Sequence, residues 1–286
     1  MSKEQKDFLK RIKRNKIIIL MTQISIFILF ILIWQILSNK NIINTFITSS
    51  PKKILITIKN LYIQNNLFIH IFVTVKETLI SFIITSILSL LISIILYNHS
   101  FIAKVLDPYL TILNSLPKVA LGPIIIIWIG ANIKSIILMA ILISLIVSIQ
   151  TIYNGFISTD KLKIKLLKTF GASKKDILLN VVLQENKKTI LNTFKINISM
   201  CLIGVIMGEF LTSKAGIGYL ILYGSQVFNL DLVMTGVFLL TIISIIMYKV
   251  ISKNTDKWFC ILFFNYISFY FLILLVDKYY SLHNDN

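Results

Sequence analysis

The sequence predicts an all-α protein that crosses a membrane several times. Apolar residues make up 56% of its 286 residues, only 14% are charged, and the mean hydropathy is +0.84, a balance that ordinary soluble domains do not show. The apolar residues form several runs that are long enough for an α-helix to cross the hydrocarbon core. Basic residues cluster at the ends of these runs, as the positive-inside bias of membrane proteins predicts.

The N-terminal part begins with a basic segment, because residues 1–16 hold seven lysines and arginines. This segment is expected to stay in the cytoplasm. Residues 17–37 follow as the first transmembrane helix, and no small-residue cleavage site of a signal peptide comes after them. Residues 38–73 are expected to form an outer loop in which Pro51 starts an amphipathic helix. Its apolar positions are Ile54, Leu55, Ile58 and Leu61.

A second span is expected at about 75–97, followed by a short inside loop. Asp107 and Pro108 are expected to open a third span at about 107–130. Helix-breaking residues interrupt that span at Pro117, Gly122, Pro123 and Gly130. Irregular backbone at membrane depth is tolerated only where protein or a cavity satisfies the freed polar groups. The third span is therefore expected to be kinked or broken, either as a bent packing helix or as part of a pathway lining.

The later elements follow a regular order. A tight outer turn is expected at 131–134, a fourth span at 135–153, a fifth at 190–211, an outer re-entrant or interfacial segment at 212–231 and a sixth span at 232–252. The fifth span carries Lys195 near its inner end and Glu209 near its outer end. Residues 74–252 are thus expected to form one transmembrane domain with a cytoplasmic loop at 156–189.

A further apolar run, residues 258–276, is long enough to form a seventh helix. Basic residues precede it at Lys249, Lys253 and Lys257, whereas Lys278 after it is offset by aspartates. This asymmetry favours a span that runs from inside to outside. The many aromatic residues of the run would equally suit a helix that lies in the membrane interface.

The loop between the fourth and fifth spans is both basic and patterned. Residues 160–190 contain eight lysines, and apolar residues recur at helical spacing at Leu162, Leu166, Leu167 and Phe170. Gly171 suits the left-handed stop of a helix, and Ser173 with Asp176 suits the start of a second helix. The pattern predicts two short helices joined at a glycine bend. The alternative is an ordinary basic loop that only sets topology.

Several function classes are excluded or disfavoured. The net charge of +17 comes from lysines that flank apolar runs, so topology and anionic lipids explain it better than nucleic acid does. The chain has no GxxxxGK[ST] loop for a nucleotide. Its three histidines are isolated, and Cys201 and Cys260 lie in apolar runs. No metal site and no cofactor are therefore expected, and a membrane enzyme is improbable.

Four segments resemble the permeases of ATP-binding-cassette (ABC) importers. The segment LLKTFGASKKDILLNVVL resembles their cytoplasmic EAA loop, with Gly171 at the glycine and Val181 and Leu183 at the following apolar positions. Two features differ, since the residues at 165–167 replace EAA and Gln184 replaces a proline.

The other three segments are in register with the same family over about residues 45–252. Residues 114–135 are similar to the third-span signature of nitrate/sulfonate/taurine-type permeases, at Pro117, Ala120, Leu121, Pro123, Trp128 and Gly130. Thr151 and Gly155 fit an NT-x-x-G stretch, and Glu209 with residues 214–221 fits an acidic residue followed by GIGYLI.

The resemblance implies a type I ABC importer transmembrane domain with six core helices, plus the extra C-terminal helix of this chain. Such a permease is a non-catalytic subunit of the bacterial plasma membrane. It pairs with a second copy, with cytoplasmic ATPase subunits that hydrolyse ATP, and with an extracytoplasmic substrate-binding protein. The residues expected to couple to the ATPase are Leu166, Leu167, Phe170, Gly171, Ala172, Ser173, Asp176 and Ile177. Those expected along the translocation pathway are Asn114, Pro117, Pro123, Glu209, Gly216 and Gly218.

The resemblance implies a small solute, such as a sulfonate, taurine, nitrate or a vitamin precursor. Glu209 has two open interpretations, because it suits either a gate or pathway residue or a carboxylate that caps the SKAGIGYLI segment. A self-sufficient secondary transporter is the competing class. It predicts inverted repeats and charged residues near the membrane midplane, and neither is visible in the sequence.

Overall fold

The computed structural model describes residues 3–64 and 66–253, and the elements in these ranges are helical. In chain order they are α1 (Lys3–Asn39), α2 (Thr45–Thr48), α3 (Pro51–Ile63), α4 (Leu67–Asn98), α5 (Ser100–Ser115), α6 (Gly122–Ile129), α7 (Ile133–Ile157), α8 (Lys161–Thr169), α9 (Lys174–Ile177), α10 (Leu183–Glu185), α11 (Lys187–Thr212), α12 (Ile217–Gln226) and α13 (Leu230–Lys253). A 3₁₀ turn, Lys118–Leu121, precedes α6, and a π-helical turn, Leu178–Val182, joins α9 to α10.

Within the described ranges, five helices are long and apolar enough to cross a membrane. They are Ile17–Asn39 of α1, α4, α7, α11 and α13. A sixth span is possible if α5 and the Lys118–Ile129 segment act as one unit, although they meet at an angle of 88°. Each of the six predicted spans overlaps one of these units, and the predicted break in the third is confirmed. The predicted 258–276 segment lies outside the described residues.

The predicted start of the third span is wrong. Asp107 and Pro108 lie inside α5, which begins at Ser100, so α4 and α5 are separated by His99 alone. A proline inside a helix removes a single backbone hydrogen bond. The apolar residues on both sides of Pro108 continue the helix in spite of that loss, and the sharp bend comes later, at Pro117. The second span is also longer than predicted, because α4 starts at Leu67.

The chain divides into two compact units, of which the first comprises residues up to 68 together with 220–238. Helix α3 begins as predicted, with Pro51 in its first turn and the Ser50 hydroxyl accepting from the Lys53 N–H at 3.3 Å. The Lys52 N–H donates to Oε1 of Gln35 on α1 at 3.0 Å. Lys53 also forms a 3.6 Å ion pair with Asp231 of α13.

The second unit comprises residues 69–219 and 239–253 of the described chain, and α7 packs along α11 inside it. Gly204 and Gly208 of α11 lie against Ala140 and Ile136 of α7. A Cβ atom on Gly208 would lie 2.9 Å from the Ile136 Cα, and one on Gly204 would overlap the Ala140 backbone. Small residues spaced four apart allow such close backbone approach between membrane helices.

Buried hydroxyl and amide groups link α4, α7 and α11 in the same unit. Ser148 Oγ donates to Asn197 Oδ1 at 2.7 Å, and Asn197 Nδ2 donates to Ser86 Oγ at 3.4 Å. Thr85 Oγ1 and Ser144 Oγ are 3.1 Å apart. Hydrogen bonds of this kind hold helices together where lipid offers no hydrophobic driving force between them. The polar face of α4 is therefore a packing surface.

Candidate functional site

The lysine-rich segment between α7 and α11 has the predicted helix–bend–helix form. Asp160 caps α8, because its Oδ1 accepts from the Leu162 N–H at 2.8 Å. A 3.1 Å ion pair between Lys163 and Glu185 connects α8 to α10. Both side chains are partly exposed, so this pair adds little stability but orients α8 against the second half of the segment.

Gly171 ends α8 in a left-handed conformation, with φ of +76°. The Gly171 N–H donates to the Lys168 carbonyl at 3.0 Å and the Ala172 N–H donates to the Leu167 carbonyl at 3.1 Å. These two bonds define a Schellman motif, which satisfies carbonyl groups at a helix end and favours glycine. The predicted glycine stop is confirmed.

Ser173 and Asp176 form a reciprocal capping box at the start of α9. The Ser173 N–H donates to Asp176 Oδ2 at 3.0 Å, and the Asp176 N–H donates to Ser173 Oγ at 3.2 Å. Hydrogen bonds from the Ser173 hydroxyl and backbone N–H lower the pKa of Asp176. The carboxylate therefore supports the cap above the ordinary titration range of aspartate, and the support is lost as pH falls through the lowered pKa.

The segment exposes one apolar face and anchors the other. Leu162, Leu166 and Phe170 are 76%, 58% and 77% exposed and follow each other at four-residue spacing, so they form one stripe. After the bend, Ile177 and Leu178 are buried at 4% and 2% exposure. A stripe of exposed apolar side chains on a segment that is fixed to the protein interior is typical of a docking surface.

The predicted coupling residues fall into three groups. Leu166, Phe170, Gly171, Ser173 and Asp176 are exposed, Leu167 and Ala172 are half-buried, and Ile177 is buried. Ile177 therefore anchors the segment from inside the chain, whereas the exposed group forms its outer surface.

A second group of predicted residues surrounds Glu209, whose side chain is fully buried. Thr74 Oγ1 donates to Glu209 Oε1 and the Gly218 N–H donates to Oε2, both at 2.6 Å. The Tyr219 N–H donates to the same carboxylate, and the Ile217 N–H donates to Thr74 Oγ1 at 2.8 Å. Glu209 and Thr74 together thus satisfy the free N–H groups at the start of α12, where a negative charge is favourable.

The turn before α12 leaves no space around this carboxylate. Gly216 has φ of +115°, and a Cβ atom there would overlap the Glu209 carboxyl group. A Cβ atom on Gly218 would lie 2.8 Å from Glu209 Oε2. The Gly216 N–H donates to His70 Nδ1 at 3.0 Å, and the His70 ring stacks on Tyr219 with centroids 6.0 Å apart.

Sequence reasoning missed His70, Thr74 and Glu77, which all contribute to this cluster from α4. They are spaced at i, i+4 and i+7, which places them on one helix face. That spacing was a usable signal, but the many buried serines and threonines of α4 hide it.

The remaining predicted pathway residues lie elsewhere, at the bend between α5 and α6. Asn114, Pro117 and Pro123 are exposed, and Lys118 Nζ donates to Asn114 Oδ1 at 3.1 Å. Glu209, Gly216 and Gly218 are buried together around the start of α12.

Among the residues that the structure describes, no group of three or more histidine, cysteine, aspartate or glutamate side chains could hold a metal ion.

Comparisons with known proteins identify the class to which this architecture belongs. The structure resembles a chain of the MetNI methionine ABC transporter in an inward-facing conformation, with a TM-score of 0.57 and 16% identity over 70% of this chain and 97% of that one. At this identity the likeness concerns the fold alone. The fold is that of a type I ABC importer transmembrane domain.

A family model described as "Binding-protein-dependent transport system inner membrane component" matches residues 86–253, more than half of the chain. The chain belongs to this family. It is 25% identical to the Bacillus subtilis protein named "Putative aliphatic sulfonates transport permease protein SsuC", over 80% of both chains. It is also 25% identical to the formylaminopyrimidine transport permease protein ThiX of Halalkalibacterium halodurans, over 79% of this chain and 90% of the relative.

The protein is therefore the permease subunit of an ABC importer, a multi-pass membrane protein without catalytic activity of its own. ATP hydrolysis belongs to a separate ATPase. This assignment replaces the alternative of a self-sufficient secondary transporter.

Proposed function

We propose that this permease forms the pathway for a small solute that an extracytoplasmic binding protein delivers. The solute is a small anion such as a sulfonate, taurine or nitrate, or else a vitamin precursor. Support comes from the relatives, since one is named for aliphatic sulfonates and the other for formylaminopyrimidine. Uptake of labelled taurine, nitrate and formylaminopyrimidine by cells with and without the permease would test this class. Equal uptake of all three by both cell types would exclude it.

The α8–Gly171–α9 segment docks in a groove on the cytoplasmic ATPase and transmits its motion to the membrane helices. The exposed stripe of Leu162, Leu166 and Phe170 carries this proposal. Apolar side chains that are this exposed outside a lipid-facing span need a partner to shield them from water. After the bend, Ile177 and Leu178 are packed inside the chain. Displacement of the exposed stripe would therefore also displace the interior of the protein.

Substitution of Phe170 by serine tests the docking surface directly. The side chain is 77% exposed, so Phe170→Ser should leave folding intact and remove apolar contact with the ATPase. The permease is purified from its own host cells in mild detergent, and the ATP hydrolysis that copurifies is measured per mole of permease. We expect a loss of about tenfold or more, because a buried aromatic anchor typically contributes 2 kcal/mol or more to binding.

Lys168→Ser is the matched control for this experiment. Lys168 is exposed on the same short helix, on a different face from the stripe. Its replacement should leave copurified ATP hydrolysis close to the parental level. Equal activity of Phe170→Ser and the parent would remove the stripe as the docking surface.

The solute passes between two copies of the chain. The exposed bend with Asn114, Pro117 and Pro123 lines the pathway, because backbone groups freed at a break require a polar or aqueous surrounding. Glu209, Gly216 and Gly218 act on the pathway indirectly, because they are buried and hold the start of α12 in place. Cross-linking between cysteines introduced at Asn114 of the two copies would test the arrangement, and absence of cross-linked dimer in active membranes would contradict it.

A further inference from the structure

The buried cluster at the start of α12 contains a second carboxyl group, that of Glu77 on α4. Glu77 is 3% exposed, and its carboxyl group lies beside that of Glu209, within reach of a hydrogen bond between them. Its Oε2 atom is buried, and no hydrogen-bond donor among the described residues reaches it. Two buried carboxyl groups in contact, one with an oxygen that lacks a donor, require an explanation that the permease fold does not supply.

The hydrogen-bond donors around the pair show how its protons are distributed. Glu209 receives a hydroxyl hydrogen from Thr74 and backbone hydrogens from Gly218 and Tyr219. The Thr74 hydroxyl has only one hydrogen, and its oxygen already accepts from the Ile217 N–H. Glu209 thus accepts hydrogen bonds on both oxygens, and these donors favour its ionised form. A proton shared by the pair belongs on Glu77, where it would give Oε2 a hydrogen-bonding role.

The other charged or titratable side chains nearby do not replace that proton. Lys76 of α4 and Lys214 of the turn before α12 are exposed. His70 of α4 uses Nδ1 to accept from the Gly216 N–H. Tyr219 of α12 stacks its ring on His70. Two ionised carboxylates in contact repel each other strongly in a buried site, and an uncompensated charge inside a membrane protein is expensive.

We propose that Glu77 and Glu209 bind one proton between them, carried by Glu77 and donated to Glu209. The bound proton holds the start of α12 against α4 and α11. The bound proton belongs to the permease itself, whichever solute is transported and whether or not the ATPase is bound.

Infrared spectroscopy of the purified protein in lipid nanodiscs detects this proton, because a protonated carboxyl group has a distinct C=O stretching band that shifts in D₂O. At neutral pH the parental protein should show such a band, and Glu77→Gln should lack it. Glu185→Gln is the matched control, because Glu185 is an exposed glutamate outside the cluster. The band should persist in that variant. A parental protein without the band, or a Glu77→Gln variant that retains it, overturns the proposal.

Thermal unfolding gives a second measurement that does not depend on the spectral assignment. Folded Glu77 holds a proton that the unfolded chain has lost at neutral pH, so the folded state binds more protons and stability should fall as pH rises. The melting temperature of the parent should therefore decrease from neutral to alkaline pH more than that of Glu77→Gln, whose amide stays neutral. Curves that shift equally with pH would contradict a bound proton.

Glu209→Gln separates the two carboxyl groups. An amide at this position presents an NH₂ group to backbone N–H donors, which leaves at least one buried donor unsatisfied. Its melting temperature should drop by roughly 2–10 °C at neutral pH, whereas Glu77→Gln should remain near the parent. The reverse order of the two variants would place the proton on Glu209 and exclude Glu77 as its carrier.

Discussion

At the residue scale, Gly171 sets the direction of the chain between α8 and α9. Its φ of +76° is unfavourable for residues with a Cβ atom. A Cβ atom added there would nevertheless have no neighbouring side chain or backbone atom within 4 Å. A substitution therefore costs free energy through backbone strain and not through a collision with a neighbouring atom. This distinction allows two replacements of similar size to be compared.

Gly171→Val should raise the free energy of the bend by on the order of 1–3 kcal/mol, because a β-branched side chain is strongly disfavoured in the left-handed region. Gly171→Asn should be much milder, since asparagine enters this region more readily than other residues. Transport and copurified ATP hydrolysis are measured at matched membrane protein levels. We expect a large loss for valine and near-parental values for asparagine. Parental values for valine would show that coupling does not need this bend.

Local chemistry explains which single residues could be predicted from the sequence. Gly171, Ser173 and Asp176 act on neighbours within three or four positions, so the sequence contains the whole motif. Glu209 is different, because its partner Thr74 is 135 positions away. Both interpretations of Glu209 remained open in the sequence, since nothing local reveals which distant N–H groups and hydroxyls reach a carboxylate. The capping arrangement became visible only with α4, α11 and α12 assembled.

At the scale of helices, the contact between α7 and α11 depends on Gly204. A Cβ atom there would overlap the backbone of Ala140. Gly204→Ala should therefore force the two helices apart and destabilise the protein by about 1–3 kcal/mol or more, as overpacking does. A fall in melting temperature in detergent or nanodiscs measures this effect.

Ile203→Ala is the companion variant for that measurement. Ile203 neighbours Gly204 on α11 but is 51% exposed, so truncation removes no helix contact in the interior. Its melting temperature should stay near the parental value. A Gly204→Ala protein as stable as Ile203→Ala would mean that the close approach of α7 and α11 is not required.

The helices themselves were largely predictable, and their ends were less so. A run of about twenty apolar residues predicts a membrane span regardless of the helices that pack against it. The start of α4 was missed because His70 and Thr74 reduce the apolar signal where the helix is already formed. The start of α5 was missed because Pro108 is a strong local signal for a helix start, yet the helix continues through it.

At the scale of the whole molecule, the length of α11 and the lysines at one of its ends predict the membrane orientation. This helix has 26 residues, which corresponds to about 39 Å at 1.5 Å per residue, so its two ends lie on opposite membrane surfaces. The lysine-rich segment precedes one end and the turn containing Lys214 follows the other. From the positive-inside bias we expect the lysine-rich end to lie in the cytoplasm.

Cysteine labelling tests this orientation. In a background with Cys201 and Cys260 replaced by alanine, Lys214→Cys should react with a membrane-impermeant thiol reagent in intact cells. Lys168→Cys should react only after the cells are opened. The opposite pattern would invert the topology and would place the proposed docking segment away from any cytoplasmic ATPase.

The π-helical turn at Leu178–Val182 has a consequence for chain length. The buried residues Ile177, Leu178, Val182 and Leu183 recur at an interval of five, whereas five residues of α-helix end about 140° away from a whole number of turns. The wider turn absorbs this mismatch, so the segment contains one residue more than a regular helix would need. Loss of the exposed Asn180 would remove this extra residue and return the turn to α-helix, so the residues before and after it would keep nearly the same relative orientation. The stripe would then keep its direction, whereas loss of one residue from a regular α-helix rotates the part before it by about 100°. The π-turn is therefore a place where the segment tolerates a change in residue number without a change in the surface that it presents.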